Sequence, residues 1–470
     1  MILLIFVNKI SSNLRMLIVY FCLFIANVTL YGNIEGILDM DLLLEKTEVF
    51  SRDTLHKAVK FGDIMVVKSL IIQGIDPNHP DSNGWTPLDY AKKRNKADIE
   101  KFLIENGAKT FVKELPDMYE GPHVRIINSG NIEVLYLKHD SLNRKSTLIQ
   151  EKHSFSEFPM KINGYLIEPK DFDLQNKTMI PKSSYLDARK IFVVGDIHGE
   201  FDRAFNLLKN NKIIDKNGNW NWGKGHLVFV GDIFDRGNKV TETLWLIFSL
   251  EKQAEKSGGK VHLLLGNHEP MIFNDDLRYI TDEYYSLCEN LGLDYSDLFN
   301  KNSVLGHWLR QKPVMIKINQ FTFMHAGVSP ELLAMQLIAD SINKFVWQYH
   351  NDIENEKNIK TRQYLLGNGG VLWYRGLIQD DSRKDVISHF TLNQILAFYN
   401  TKALIVGHTE VDSISAFFDK RVIDVNIPKR KKDIREQGLL IKGDKLWVVY
   451  DSQKKEKFIN YKLSCPRFKW

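Results

Sequence analysis

Residues 195–199 read GDIHG and follow directly on the apolar run IFVV. A carboxylate and an imidazole two residues apart at a strand end either act on one ligand together or are two polar residues in a turn. The arrangement recurs along the chain. HLVFV runs into GDIFDRG at 231–237, VHLLL into GNHE at 266–269, FTFM into HAG at 325–327, and ALIV into GHT at 407–409. Loops at the carboxyl ends of strands can converge without disturbing a core, so five loops are expected to face one point.

Those loops offer Asp196, His198, Asp232, Asn267, His325 and His408. The set is oxygen and imidazole nitrogen with no thiolate, which suits Mn, Fe or Zn. Six donors that include one shared carboxylate fit two ions. A lone Asp-x-His pair would carry little weight in a chain with 14 histidines; five ordered motifs gain meaning from one another.

The elements that must position these residues belong to a chain of 470 residues, 44% hydrophobic and 26% charged, enough for one large and one small domain. The net charge of +5 arises from interspersed acids and bases, which gives no field pointing to nucleic acid; the cluster KRKK at 429–432 reads as a solvated loop. Near the N-terminus, Lys9 and Arg15 precede an apolar run from Met16 to about Val28. That run has the length of a secretory h-region and is short for a membrane span. The expectation is a signal peptide over 1–32 and an exported protein, periplasmic or secreted, held at a membrane only if the segment is uncleaved. Cys22 would leave with it, and Cys288 and Cys465 carry no catalytic expectation.

Over residues 53–109 a period of 33 aligns Leu55 with Leu88, Ala58 with Ala91 and Gly74 with Gly107. With TPLDYA at 86–91 this resembles ankyrin repeats. A small α-helical module over 34–110 follows, capped by the apolar segment 41–50 or by the next domain, and able to bind a protein partner. Residues 111–189 read as a β-rich bridge, with a hairpin around NSGN at 128–131. The insertion 275–313 reads mainly as helix, with Tyr279, Tyr284, Tyr285 and Tyr295 as core or cleft-wall residues.

The ordered set GDxHG, GDxxDRG, GNHE, HAG and GHT resembles the phosphoprotein-phosphatase branch of the calcineurin-like metallophosphoesterases, in particular the bacterial Shewanella-like phosphatases. The resemblance covers roughly 190–450, within a domain placed at 190–460. It implies an α/β fold, a central β-sandwich flanked by helices. It also implies that Asp196 and His198 hold one metal, that Asn267, His325 and His408 hold the second, and that Asp232 bridges them. His268 would be the general acid, oriented by Asp235, and Arg236 together with Arg375 of VLWYRG would grip the phosphoryl group. Glu269 is expected to bond neighbouring backbone or an arginine. Phosphodiesterase-type relatives read GHxH where this chain has His408, Thr409 and Glu410, which points to the monoesterase branch. The function implied is hydrolysis of phosphate monoesters, of protein, peptide or small molecule, by in-line attack of a metal-bridging hydroxide. The alternatives are a nucleotide or dinucleoside polyphosphate hydrolase, and an ankyrin-type binding protein with an inactive phosphatase domain.

Overall fold

The five strand-like runs are apolar apart from His226, His262 and Thr322, because both their faces are covered. The computed structural model describes residues 54–81, 84–111, 114–128, 130–172, 182–351, 358–378, 386–428 and 435–461. The expected signal segment with Cys22, the apolar stretch 41–50, the basic cluster 429–432 and Cys465 lie outside the described residues. No helix among the described residues is long and apolar enough to cross a membrane.

Four helices come first: α1 (Thr54–Phe61), α2 (Ile64–Ile72), α3 (Pro87–Lys93) and α4 (Ala97–Glu105). Asp63 caps α2 by accepting from the Val66 N–H. Thr86 and Asp89 cap α3 reciprocally, and Pro87 occupies the first turn, where no N–H is needed. Gly74 and Gly107 leave the second helix of each pair at φ +85° and +78° with open space around a would-be Cβ. Backbone conformation, not room, therefore calls for glycine there. Leu55, Val59, Val67, Leu88, Ala91 and Leu103 form the shared core.

Next come β1 (Met118–Asn128), β2 (Asn131–Asp140) and β3 (Lys145–Ser154), an antiparallel sheet in which Asn128 faces Asn131 across the expected turn. The short hairpin of β4 (Met160–Ile162) and β5 (Tyr165–Ile167) and the two-residue β6 (Ser184–Tyr185) follow. The chain then runs β7 (Ile191–Val194), α5 (Phe201–Asn210), β8 (His226–Phe229), α6 (Val240–Lys256) and β9 (Lys260–Leu263), giving three parallel strands. The insertion is helical as expected, with α7 (His268–Phe273) before it and α8 (Asp282–Leu291) and α9 (Val304–Arg310) within it. After it come β10 (Met315–Ile318), β11 (Phe321–Met324), β12 (Ala403–Val406), β13 (Ser415–Phe417) and β14 (Val422–Asp424), and finally β15 (Gln437–Lys442), β16 (Lys445–Tyr450) and β17 (Lys455–Asn460).

These strands make two six-stranded sheets, ordered β17-β16-β15-β7-β8-β9 and β13-β14-β12-β11-β10-β6. Alternation along each strand builds three layers of core. Ile191 and Val193 of β7 meet Phe321, Phe323, Ala403 and Ile405 between the sheets. Phe192 and Val194 face the α5 and α6 side, while Leu404 and Val406 face the helices between β11 and β12, Pro330–Ala334, Ala339–His350, Ile359–Leu366 and His389–Phe398. The boundary expected at 190 shifts in one respect: β6 pairs with β10, so the bridging region supplies an edge strand of the sandwich. The three-stranded sheet also shares the sandwich's core, and Trp245 of α6 donates to the Pro122 carbonyl of β1 at 2.9 Å.

Two repeats bury too little surface to stand alone, and the sandwich region supplies what is missing. Trp85, just before α3, is 5% exposed and packs its ring 5.1 Å from Tyr285 of α8. Lys92 pairs with Glu289 at 2.9 Å. Trp85→Ala should therefore destabilise the whole chain by about 3–5 kcal/mol, as large-to-small core changes do, whereas Phe61→Ala, at a position 79% exposed, should stay within about 0.5 kcal/mol. Denaturant unfolding measures both; equal effects would mean that the repeats do not share the core.

Candidate metal centre and its surroundings

Each motif begins within three residues of the end of its strand. β7, β8, β9, β11 and β12 end at Val194, Phe229, Leu263, Met324 and Val406, and the loops that follow turn inward sharply. His198, Asp232, Asp235, Arg236 and His408 all have positive φ, between +50° and +71°. That conformation is uncommon for side chains with a Cβ and persists only where surrounding contacts enforce it. Two glycines leave room for the carboxylates. A Cβ at Gly266 would lie 2.1 Å from Asp232 Oδ1, and one at Gly407 would lie 2.4 Å from Asp196 Oδ1.

The structure brings Asp196, His198, Asp232, Asn267, His325 and His408 to one place, each 6% exposed or less. Asp232 is at the centre. Its Oδ1 accepts the His268 backbone N–H at 3.0 Å, and its Oδ2 lies 3.1 Å from His325 Nε2 and 3.7 Å from His198 Nε2. His198, Asp232 and His268 form one compact donor group, and Asp232, His325 and His408 form another. The imidazoles are aimed by main chain. His198 Nδ1 donates to the Phe234 carbonyl at 2.8 Å and His325 Nδ1 to that of Val230 at 2.9 Å, which leaves each Nε2 facing the centre. His408 is reversed: its Nε2 meets the Trp373 carbonyl at 3.2 Å, so Nδ1 points inward, 3.2 Å from His325 Nε2. Asn267 Oδ1 lies 3.0 Å from the same His325 nitrogen. Asp196 Oδ2 is 4.0 Å from His198 Nε2 and accepts the His408 backbone N–H at 3.2 Å.

A backbone carbonyl behind each ring fixes the tautomer in the manner of metal-ligating histidines. Buried carboxylates also need positive charge nearby. Imidazole nitrogens, an amide oxygen and two aspartates converging in a buried site fit a pair of divalent or trivalent cations.

His268 lies within the same radius but is held differently. Its Nδ1 bonds Asp235 Oδ2, a carboxylate rather than a carbonyl, and its Nε2 faces the centre 3.7 Å from Asp232 Oδ2. Burial alone would drive the proton off this ring; the Asp232 charge and the Asp235 bond outweigh it and raise its pKa. The carboxylate partner sets this ring apart from His198, His325 and His408, each of which has a backbone carbonyl behind it. The ring of Tyr279 stands 5.2 Å from that of His268. Of the four insertion tyrosines, Tyr279 is the exposed one at 42%, while Tyr284, Tyr285 and Tyr295 are buried in the core.

Arg236 and Arg375 border the centre. Arg375 donates to the His408 carbonyl at 3.0 Å. Arg236 is paired at 3.2 Å with Glu410, the residue that stands where a second GHxH histidine would be. Glu269, fully buried, accepts three backbone N–H groups, from Gly266 at 2.6 Å, Ile233 at 2.7 Å and Asp232 at 3.2 Å, and so ties the second and third loops together. Sequence reasoning did not reach the carbonyls of Phe234, Val230 and Trp373, since any residue type supplies a carbonyl, nor the Arg236–Glu410 pair.

Glu269→Gln tests the loop tie. An amide offers one acceptor oxygen and sets an NH₂ against a backbone donor, so the exchange should cost about 1–3 kcal/mol, as expected when a buried donor loses its partner. Denaturant unfolding with and without added metal measures it, and unchanged stability would remove the role.

Comparison with known proteins agrees with this geometry. Residues 189–412 match the calcineurin-like phosphoesterase family and residues 55–104 the ankyrin repeats. Shewanella-like protein phosphatase 1 of Plasmodium berghei is 31% identical over 227 residues, 48% of this chain and 62% of that protein, so the chain spans less than two thirds of this relative's length. A symmetrical bis(5'-nucleosyl)-tetraphosphatase of Vibrio vulnificus is 28% identical over 211 residues, 43% of this chain and 65% of that one. The crystal structure of a cold-active protein-tyrosine phosphatase from a psychrophilic Shewanella matches with a TM-score of 0.61 at 31% identity, covering 72% of this chain and 99% of that one. With sequence, fold and the convergence of all five motifs in agreement, the chain belongs to the calcineurin-like metallophosphoesterases, metal-dependent phosphoester hydrolases, and carries ankyrin repeats ahead of that domain.

Proposed function

We propose that the chain is an exported phosphatase that hydrolyses phosphate monoesters, with phosphorylated protein or peptide side chains as its substrates. The observation that carries this reading is the position of Asp232 Oδ2, within 3.1 Å of His325 and 3.7 Å of His198, between two donor groups. In this reading Asp196, His198 and Asp232 hold one ion, and Asp232, Asn267, His325 and His408 hold the other. Mn, Fe or Zn bound there supplies Lewis acidity toward the phosphoryl oxygens and lowers the pKa of a water. His268 gives the proton on Nε2 to the departing alkoxide or phenoxide, and Asp235 keeps the ring aimed. Arg236 and Arg375 grip phosphoryl oxygens with charge-assisted hydrogen bonds, Arg236 exchanging Glu410 for the substrate. The relatives named as phosphatases support the substrate class, and the apolar run at 16–28 supports export.

A second reading, hydrolysis of dinucleoside polyphosphates, draws on the Vibrio relative. Glu410, 51% exposed beside Arg236, weighs against it, because a carboxylate at the rim repels a substrate with several anionic groups. Assays on phosphopeptides and on diadenosine tetraphosphate under the same metal conditions separate the two.

Asp232→Asn should lower metal content below two ions per chain and abolish turnover of para-nitrophenyl phosphate, while Asn238→Ala should do neither. Elemental analysis alongside the assay checks it; a variant that retains both metals and full activity would sink the bridging role. His268→Ala should keep both metals yet lose about 10²- to 10⁴-fold in rate on alkyl phosphates, the usual contribution of a positioned acid. Para-nitrophenyl phosphate, whose leaving group needs no proton, should suffer less. Equal losses on both substrates would rule out proton donation.

A further inference from the structure

The end of the second repeat clasps the segment that runs from α7 into α8. Asn95 Nδ2 donates to the Asn274 carbonyl at 3.2 Å, and Lys92 pairs with Glu289. Between them Lys93, 5% exposed, places its ammonium 3.5 Å from the Ile280 carbonyl and 3.5 Å from Asp282 Oδ1, over the Trp85 ring at 3.2 Å. The residue before Ile280 is Tyr279. Its carbonyl accepts the Arg236 backbone N–H at 3.1 Å, and its ring stands beside His268. Arg236 is held at φ +67°, a conformation that needs such anchoring. We propose that Lys93 is a positioning residue for the phosphate grip: by fixing residues 279–282 it holds Tyr279 and the Arg236 backbone, so the ankyrin repeats set the affinity of the centre for the phosphoryl group.

Burial supports the assignment. An ammonium removed from water is costly unless closely paired, and burial pulls the Lys93 pKa down to about 8 against the opposing charges of Asp282, Asp89 and Asp235. A lysine kept in such a place would be a poor choice for packing alone, which Met would serve. The inference rests on the phosphatase reading for its substrate, yet it concerns a residue outside the donor set.

The test uses the full, metal-loaded chain. Lys93→Met should raise KM for para-nitrophenyl phosphate and weaken binding of inorganic phosphate by the same factor, about 3- to 30-fold, the range of couplings carried through packed contacts. Metal content should be unchanged and kcat nearly so, and Lys93→Arg should restore most of the affinity. Leu55→Ala, which loosens the repeat core away from residues 274–289, controls for destabilisation: it should lower Tm without changing KM. Equal phosphate affinity of wild type and Lys93→Met by calorimetry, or the same KM shift in Leu55→Ala, would overturn the proposal. A wild-type chain that binds phosphate but hydrolyses none of the esters would instead remove the phosphatase reading, and calorimetry would still decide this one.

Discussion

Burying several carboxylates side by side is the constraint on which the rest of this structure depends. Asp196, Asp232, Asp235 and Glu269 are each 2% exposed or less and lie around one point. Unpaired, each would be neutral or would destabilise the fold. Each is answered separately: Glu269 by three backbone N–H groups, Asp235 by the His268 imidazole, and Asp196 and Asp232 by backbone N–H groups, imidazoles and the cations the site is shaped to take. The sandwich is the rigid frame this requires. Strands covered on both faces do not shift, so the loops at their ends can hold costly conformations.

Much of this was legible in the chain itself, because strand ends and metal donors leave residue types behind. GDIHG, GDIFDRG, GNHE, HAG and GHT could be placed at strand ends from apolar runs alone, and all ten expected site residues converge or border the centre. The Thr86-Pro87 helix start, the turns at Gly74 and Gly107 and the hairpin between Asn128 and Asn131 were readable for the same reason. What was not readable depends on contacts that carry no residue identity or span long separations. The carbonyl behind His408 belongs to Trp373, but any residue could have supplied it. The choice for Glu269 between backbone and arginine needed coordinates. So did the pairing of β6 with β10, since two residues are too few to show a pattern.

The repeats depart from the usual picture of a detachable module. Their own core is small, and Trp85 belongs to the core of the sandwich region rather than to that of the repeats. Tyr285 of α8 is buried against Trp85, and Glu289 of the same helix is paired with Lys92. A border drawn at residue 110 is therefore a border in sequence pattern and not in packing, and folding of the two parts is expected to be one cooperative event.

The left-handed backbone at His198, Asp232, Asp235, Arg236 and His408 also shapes how this site can diverge. Branched side chains such as Val, Ile and Thr are genuine outliers at such angles, whereas Asn, Asp and Gly are tolerated. A branched residue at any of these five positions would therefore disturb the loop geometry as well as replace a side chain. Neighbours on ordinary backbone, among them Tyr279, Trp373 and Glu410, carry no such restriction, so the rim of the centre can change its side chains more freely than the loops that hold the donors.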